Sequence, residues 1–486
     1  MLELFVVLFS EQVIILENKD HFMAIDLSTT ACKVLIFNSD GVPVAEAHRA
    51  MPLFYPKPDW IEADANDWWN LTVECICEVL NQVPSSQIAS IGVCGLMHVM
   101  LPVDSLGEPL DRAMLWMDQR CKSQCEWIKN RNSSDRLIPT YLSAPKIRWI
   151  VENKPEVIEK TYKFMFGKDY IRMKLTGEFA TDESDAGGSA LFDGRNKCWS
   201  SEMLGLIGIS EDKMLPIRGS TEIAGYVTES ASEKTGLAVG TPVVIGSSDV
   251  RCTLIGVNIY TPKRVCLYMG TAAWVSISDE NGLLSWGGAT ATFGVSLRWC
   301  RELFDKSMDY AEMVKLAQDV PPGSEGLIFF PHLMGERWPK FNSYARGTIF
   351  GLTLSHQKKH IIRAILEGNA YLIRQIIEGY GIQHIENITA TGGGTKSKLW
   401  LQIITDVTQK TVSIPEVTEA TALGAAMLSA VGVGAFASLD DAMKQWVHIH
   451  DACVPDVKSK EIYDKMYNLY RRMDNDLEKY YPEVSF

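Results

Sequence analysis

Two stretches far apart in this sequence are built the same way, and that repetition limits the fold more than any other feature. From Phe22 the chain reads strand, tight turn, strand: FMAI, DLSTTAC and KVLIF, then the hairpin residues Asn38-Ser39-Asp40-Gly41 and a further strand-like VPVAEAHRAM. The shape returns with VCLYM (265–269), the turn Gly270-Thr271-Ala272-Ala273 and WVSIS (274–278), followed by Gly287-Gly288 and more strand. Long helical patterns separate and follow these meanders, at 67–83, 118–129, 308–319, 356–380, 397–408 and 420–431. They alternate with short apolar runs at 88–93, 243–245, 327–330 and 388–390, which predicts an α/β fold of two duplicated lobes. VNIYTPKR (257–264) marks the boundary, and the central cleft between such lobes is where a ligand is expected.

The 486 residues suffice for two large domains, and a net charge of −13 without a Lys/Arg run argues against nucleic acid as a partner. An acidic chain that handles an anion must build the site locally, from a cation, backbone N–H groups and helix N-termini. The 11 cysteines form no Cys-x-x-Cys and no zinc-ligand spacing, which predicts free thiols in a reducing, cytoplasmic setting. Leu2–Phe9 is apolar but lacks a basic n-region and is too short to span a bilayer, and no other window reaches the roughly 18 apolar residues a membrane helix needs. Residues 1–21 read as an N-terminal extension, and a homodimer is the default assembly for a soluble chain.

Several residues carry chemistry. Asp26-Leu27-Ser28-Thr29-Thr30 ends a buried strand with a carboxylate, hydroxyls and turn N–H groups, either a Mg²⁺ and phosphate turn or an ordinary capped hairpin. Gly392-Gly393-Gly394-Thr395-Lys396 joins strand ITAT to a helix beginning near Lys398. It lacks Walker A spacing and either cradles an anion or only solves the strand-to-helix geometry. Asp249 follows the strand VVIG, as a general base or a helix N-cap. Met97-His98 and Trp116-Met117-Asp118-Gln119-Arg120 mix donors, acceptors and an aromatic wall suited to a polyhydroxy ligand. Their plainer readings are a structural histidine and a capped helix start with a surface ion pair.

Taken together, these elements resemble the FGGY carbohydrate kinases over about residues 22–450. Two multi-position signatures carry the likeness: Tyr141-Leu-Ser-Ala-Pro-Lys146 through Trp149 to Asn153, and Gly347 through Gly351-Leu352 and His360 to Glu367. Within the family, GKDYIRMKLTGEFATDESDAGGS (167–189) with Met97-His98 is most similar to xylulokinases, and gluconate kinases share the Met-His pair. The resemblance implies two actin/hexokinase-like (ribonuclease H-like) lobes and ATP-dependent phosphorylation of a small open-chain sugar with Mg²⁺. It divides the chain into a sugar-binding lobe at 22–258, a nucleotide-binding lobe at 259–452 and a helical tail at 453–486. It casts Asp249 as catalytic base and Asp26 and Asp249 as metal carboxylates. Ser28, Thr29, Thr30, Gly270, Thr271, Gly392, Gly393, Gly394 and Lys396 would hold the nucleotide, while Met97, His98, Trp116, Asp118 and Arg120 would meet the sugar. The pattern breaks at Ser28, Val99, Val250, Arg251, Cys252 and Ala272, where the family carries Gly, Gly or Ser, Asn or Gln, small residues and Ser. The implied substrate is a pentulose such as D-xylulose, with gluconate or another polyol as alternative, and a sugar-sensing protein on a kinase fold as the non-enzymatic rival.

Overall fold

The computed structural model describes residues 19–131, 138–260, 262–279, 284–379, 385 and 387–484, so most of the extension read at 1–21 lies outside the described residues. The chain divides into two units: residues to Gly256 together with Thr421–Trp446, and Val257–Ala420 together with Val447–Phe486. The first break falls just ahead of VNIYTPKR, but residues 421–446, read from sequence as part of the second lobe, group with the first unit.

The first unit is built on β1 (His21–Leu27), β2 (Ala31–Phe37), β3 (Pro43–Ala50), α1 (Ala65–Leu80), β4 (Ile88–Gly95), α2 (Ser143–Asn153), α3 (Gly167–Thr176), β5 (Ile223–Tyr226), β6 (Pro242–Val244) and α4 (Asp249–Gly256). Its sheet runs β5-β6-β4-β1-β2-β3. β1 pairs antiparallel with β2 and parallel with β4, so it is central and covered on both faces, as its unbroken apolar run requires. β3 alternates buried and exposed residues over much of its length, which suits an edge. Asp64 caps α1 by accepting from Asn66 N–H, and the helix lies against β2 and β3.

The second unit repeats the plan with β7 (Val265–Met269), β8 (Ala273–Ser278), β9 (Leu284–Ala289), α5 (Gly294–Phe304), α6 (Lys358–Gly379), β10 (Asn387–Thr391), α7 (Lys398–Thr408) and β11 (Thr411–Pro415). After α8 (Ala420–Gly432) come β12 (Ile449–Cys453) and α9 (Lys460–Leu477). Its sheet order is β9-β8-β7-β10-β11-β12. The pairing pattern matches the first sheet: two antiparallel steps outward from the first strand, two parallel steps inward, and an antiparallel edge. The duplicated meander expected from sequence is therefore one of sheet topology. The helical tail packs on α6 and α7, burying Tyr463, Tyr467 and Tyr470 beside Tyr371. Part of the second signature is spent here, since buried Glu367 accepts from Arg363, Ser324, Gly323 N–H and Tyr463 at 2.8–3.1 Å.

Helix α8 is where the first unit recovers its last layer. In its sequence ATALGAAMLSAVG nine of 13 residues are Ala, Gly, Ser or Thr, and residues 422–430 are buried. Small side chains permit backbone-to-backbone approach. A Cβ on Gly424 would overlap the carbonyl of Cys252 in α4, and one on Gly92 of β4 would overlap the carbonyl of Ala425.

Candidate active site

The turn after β1 is closed by Ser28, whose N–H and Oγ both donate to Ala31 O at 2.9 and 2.8 Å. Asp26 precedes it, 7% exposed, and receives the Cys94 thiol on Oδ1 at 3.7 Å. Thr29 Oγ1 accepts from Trp116 Nε1 at 3.0 Å, which joins the expected phosphate turn to the expected sugar wall. Thr30 is exposed, and its carbonyl accepts from Met51 N–H at 2.8 Å.

Asp249 had two readings, base or cap, and the structure gives the cap to its neighbour. Ser248 Oγ accepts from Arg251 N–H at 3.3 Å and Ser248 O from Cys252 N–H at 2.9 Å, so Asp249 is the first residue of α4. Its carboxylate is half-buried, with Oδ1 accepting from Val250 N–H at 2.8 Å. Burial raises its pKa, against the opposing pull of the Val250, Asp249 and Met97 N–H groups. Met97 is thereby brought to the same carboxylate. Burial first, then Cys252 and the charges of Asp26 and Asp249, push the Cys94 thiol well up. Both carboxylates therefore act on one buried, neutral thiol at the carboxyl ends of β1 and β4.

A buried network from the segment 167–189, together with Ser220 and Ser247, stands behind Asp249. Asp182 accepts from Ser184 N–H and Oγ, Ser247 Oγ and Ser220 Oγ, and pairs with Lys168 at 3.1 Å. Ser184 Oγ in turn accepts Ser248 N–H at 2.9 Å, which fixes the residue that caps α4. Burial works against the Asp182 charge, yet Lys168 and these hydrogen bonds hold its pKa down to about 2. The signal in the sequence was the acid-and-hydroxyl run TDES after a buried helix.

Among the residues expected to meet a sugar, His98 sits at φ 63°, with Nδ1 2.7 Å from Gly188 O and its ring 5.3 Å from that of Tyr141. Lys146, from the first signature, is fully buried and donates to His98 O at 2.6 Å and Tyr141 O at 2.7 Å. Sequence reasoning gave it no role. Burial lowers its pKa to about 8. Lys146→Met keeps length but removes the donor that shapes this wall. It is expected to raise the KM for sugar about tenfold, some 1.4 kcal/mol, with the KM for ATP unchanged; an unaltered sugar KM would dismiss the bracing role.

Asp118 and Arg120 turn inward. Asp118 accepts from Ile61 N–H, Arg120 N–H and the Arg120 guanidinium at 2.6–3.0 Å, and Arg120 also donates to Glu62 at 2.7 Å and lies over Trp60. The expected surface ion pair is thus a buried one, with both side chains almost wholly enclosed.

The second unit holds the remaining residues. Gly270 N–H donates to Ala272 O at 3.1 Å, and Gly270 O and Thr271 O receive N–H groups from the start of α5 at 3.0–3.1 Å, which leaves Thr271 exposed at the turn. Gly392, at φ 93°, lies so near Met269 O that a side chain would be strained and crowded. An added Cβ on Gly393 meets nothing, and Lys396 is exposed. Ser397 caps α7 through Trp400 N–H, so the helix starts where the sequence placed it.

The FGGY family of carbohydrate kinases, N-terminal domain, matches residues 21–256, and its C-terminal domain matches 270–433. A xylulose kinase of Bacillus subtilis is 30% identical over 93% of this chain and 96% of its own. Two solved structures from Lactobacillus acidophilus superpose closely. A ligand-bound xylulose kinase has TM-score 0.87 and 25% identity over 96% and 100% of the two chains, and a gluconate kinase has TM-score 0.86 and 26% identity over 96% and 99%. The chain belongs to the FGGY family of carbohydrate kinases. It is a sugar kinase with two α/β units of the actin/hexokinase-like kind. No helix among the described residues is long and apolar enough to cross a membrane.

Proposed function

We propose that this kinase moves the γ-phosphoryl group of ATP to the terminal hydroxyl of an open-chain pentulose, with D-xylulose giving the 5-phosphate as the first candidate. The observation that carries the reading is that Ser248 takes the cap, leaving the Asp249 carboxylate in the first turn of α4 outside the capping role, with proton affinity raised by burial. Asp249 accepts the hydroxyl proton as the sugar oxygen bonds to the γ-phosphorus. The bond from phosphorus to the β,γ-bridging oxygen breaks, and ADP leaves with that electron pair. Such transition states are loose, so positioning contributes more than the base.

Met97, His98 and Trp116 meet the sugar in this reading, while Asp118 and Arg120 act through the segment they lock. Ser28 shapes the first turn, and Thr29 and Thr30 face phosphate. Gly270, Thr271, Gly392, Gly393, Gly394 and Lys396 hold the nucleotide, which suits the open space at Gly393 and the adjacent start of α7. The carboxylates of Asp26 and Asp249 are the hard oxygen donors that Mg²⁺ prefers, and when bound the ion supplies charge neutralisation to the phosphates.

One observation favours an acid sugar such as gluconate. Beside the base, Val250 stands where an amide would touch a pentulose, and Arg251 adds a cation in the first turn of the same helix. ADP release measured with D-xylulose, D-ribulose, gluconate and glycerol decides: D-xylulose is expected to exceed the others in kcat/KM by about tenfold or more, roughly 1.4 kcal/mol. Turnover with gluconate alone transfers the assignment to the second reading, and no release with any sugar overturns both.

A further inference from the structure

The second unit contains a polar cluster that phosphoryl transfer does not use. His332 lies two residues beyond the strand Ile328–Phe330, Glu336 follows on the same loop, and Asp474 comes from the last turn of α9. They are 1%, 4% and 1% exposed. His332 Nε2 is 3.0 Å from Asp474 Oδ1, and one ligand-type atom from each of the three lies within 4.8 Å of the others. Among the described residues this is the one His, Cys, Asp and Glu grouping with that geometry. Bonds of about 2.1 Å to one tetrahedral ion set neighbouring ligand atoms roughly 3.4 Å apart. The His332–Asp474 pair at 3.0 Å lies close to that spacing, and a Glu336 oxygen is within 4.8 Å of both.

A second observation points into the same spot. Glu336 Oε1 is buried and has no hydrogen-bond partner, and the same is true of Tyr470 OH and Gln375 Oε1. Gln375 reaches Asp474 Oδ2 with its Nε2 at 3.5 Å, and the Tyr470 hydroxyl feels the charges of both Asp474 and Glu336. A buried polar atom left unpaired costs about 1–3 kcal/mol, and a cation held by Asp474 and His332 would give Glu336 Oε1 a partner. The nearest ammonium does not supply it. Lys340 Nζ is 2.6 Å from Glu478 and 3.6 Å from Asp474 Oδ2, and although its charge and its N–H act on the Glu336 carboxylate, Glu336 Oε1 stays without a hydrogen bond.

We propose that His332, Glu336 and Asp474 form a site for a divalent transition-metal ion such as Zn²⁺, Co²⁺ or Mn²⁺, which fastens α9 to the loop after Phe330. One imidazole nitrogen with two carboxylates suits these ions, whereas Mg²⁺ and Ca²⁺ favour all-oxygen shells. Binding leaves the imidazole proton on Nδ1, frees the Nε2 lone pair for the ion and releases any carboxyl proton to solvent. The site is separate from the nucleotide's Mg²⁺, and its test does not depend on turnover.

Full-length enzyme, stripped with a chelator and free of nucleotide and sugar, is titrated with Co²⁺ and followed by visible absorption and thermal unfolding. One equivalent is expected to bind with a rise in Tm, to persist in Asp26→Asn and to be lost in Glu336→Gln. Equal uptake by wild type and Glu336→Gln, or none by wild type, overturns the site. Should Glu336→Gln fail to fold, anomalous diffraction from Co²⁺-soaked wild-type crystals decides alone: a peak between His332, Glu336 and Asp474 is expected, and no peak there refutes the proposal.

Discussion

Asp249→Asn is expected to give a folded kinase whose sugar-dependent ADP release falls by about 10³-fold, within the 10²–10⁴ that general base catalysis supplies. The substitution is close to isosteric. The amide oxygen can still accept from Val250 N–H, and the cap on α4 belongs to Ser248, so neither helix start nor sheet is disturbed. Stability should hold or rise. Burial lifts the Asp249 pKa, so the folded state resists its charge, and the destabilisation sets in as pH climbs from the unfolded value near 3.9 through the raised folded one. A neutral side chain escapes that cost. The same shift moves the acid limb of the wild type's kcat/KM upward from the ordinary aspartate value, since the base works only when deprotonated, and this limb should vanish in the variant. Retention of most of the rate would remove Asp249 from the mechanism.

Gly424→Ala is expected to cost about 3 kcal/mol, the upper part of the range for forcing atoms into a packed interior. One methyl group is enough because the atom it meets is the Cys252 carbonyl, part of the α4 backbone, which cannot rotate aside as a side chain would. For a body of this size that is a fall in Tm of roughly 6–12 °C by calorimetry. Gly205→Ala is the control. It lies within the helix Ser201–Ile207 with open space where its Cβ would be, and should be neutral or slightly stabilising. An unchanged Tm for Gly424→Ala would mean that α8 does not lie against α4.

Much of this was legible in the amino acids because it rests on local rules. Short apolar runs broken by turn residues announced both meanders, and three glycines between ITAT and a polar start announced the strand-to-helix turn at Gly392. What stayed hidden depends on tertiary direction. Whether Ser248 or Asp249 caps α4 turns on backbone angles at one junction. Asp118 and Arg120 looked like surface charges because their partners Glu62, Ile61 and Trp60 are distant in sequence. Lys146 was quoted in a signature, yet only the fold shows its ammonium bracing His98. The pattern at 420–431 announces a helix, but a buried segment of mostly small residues does not say which neighbour it covers.

The return of residues 421–446 to the first unit has a consequence for synthesis. A ribosome that has finished residue 256 holds a body still missing the helix that lies over Gly92 and Cys252, and that helix is not made until residues 257–420 have been synthesised. At 5–20 residues per second the nascent apolar surface waits roughly 10–40 s for its cover, an interval in which exposed apolar surface is open to chaperones.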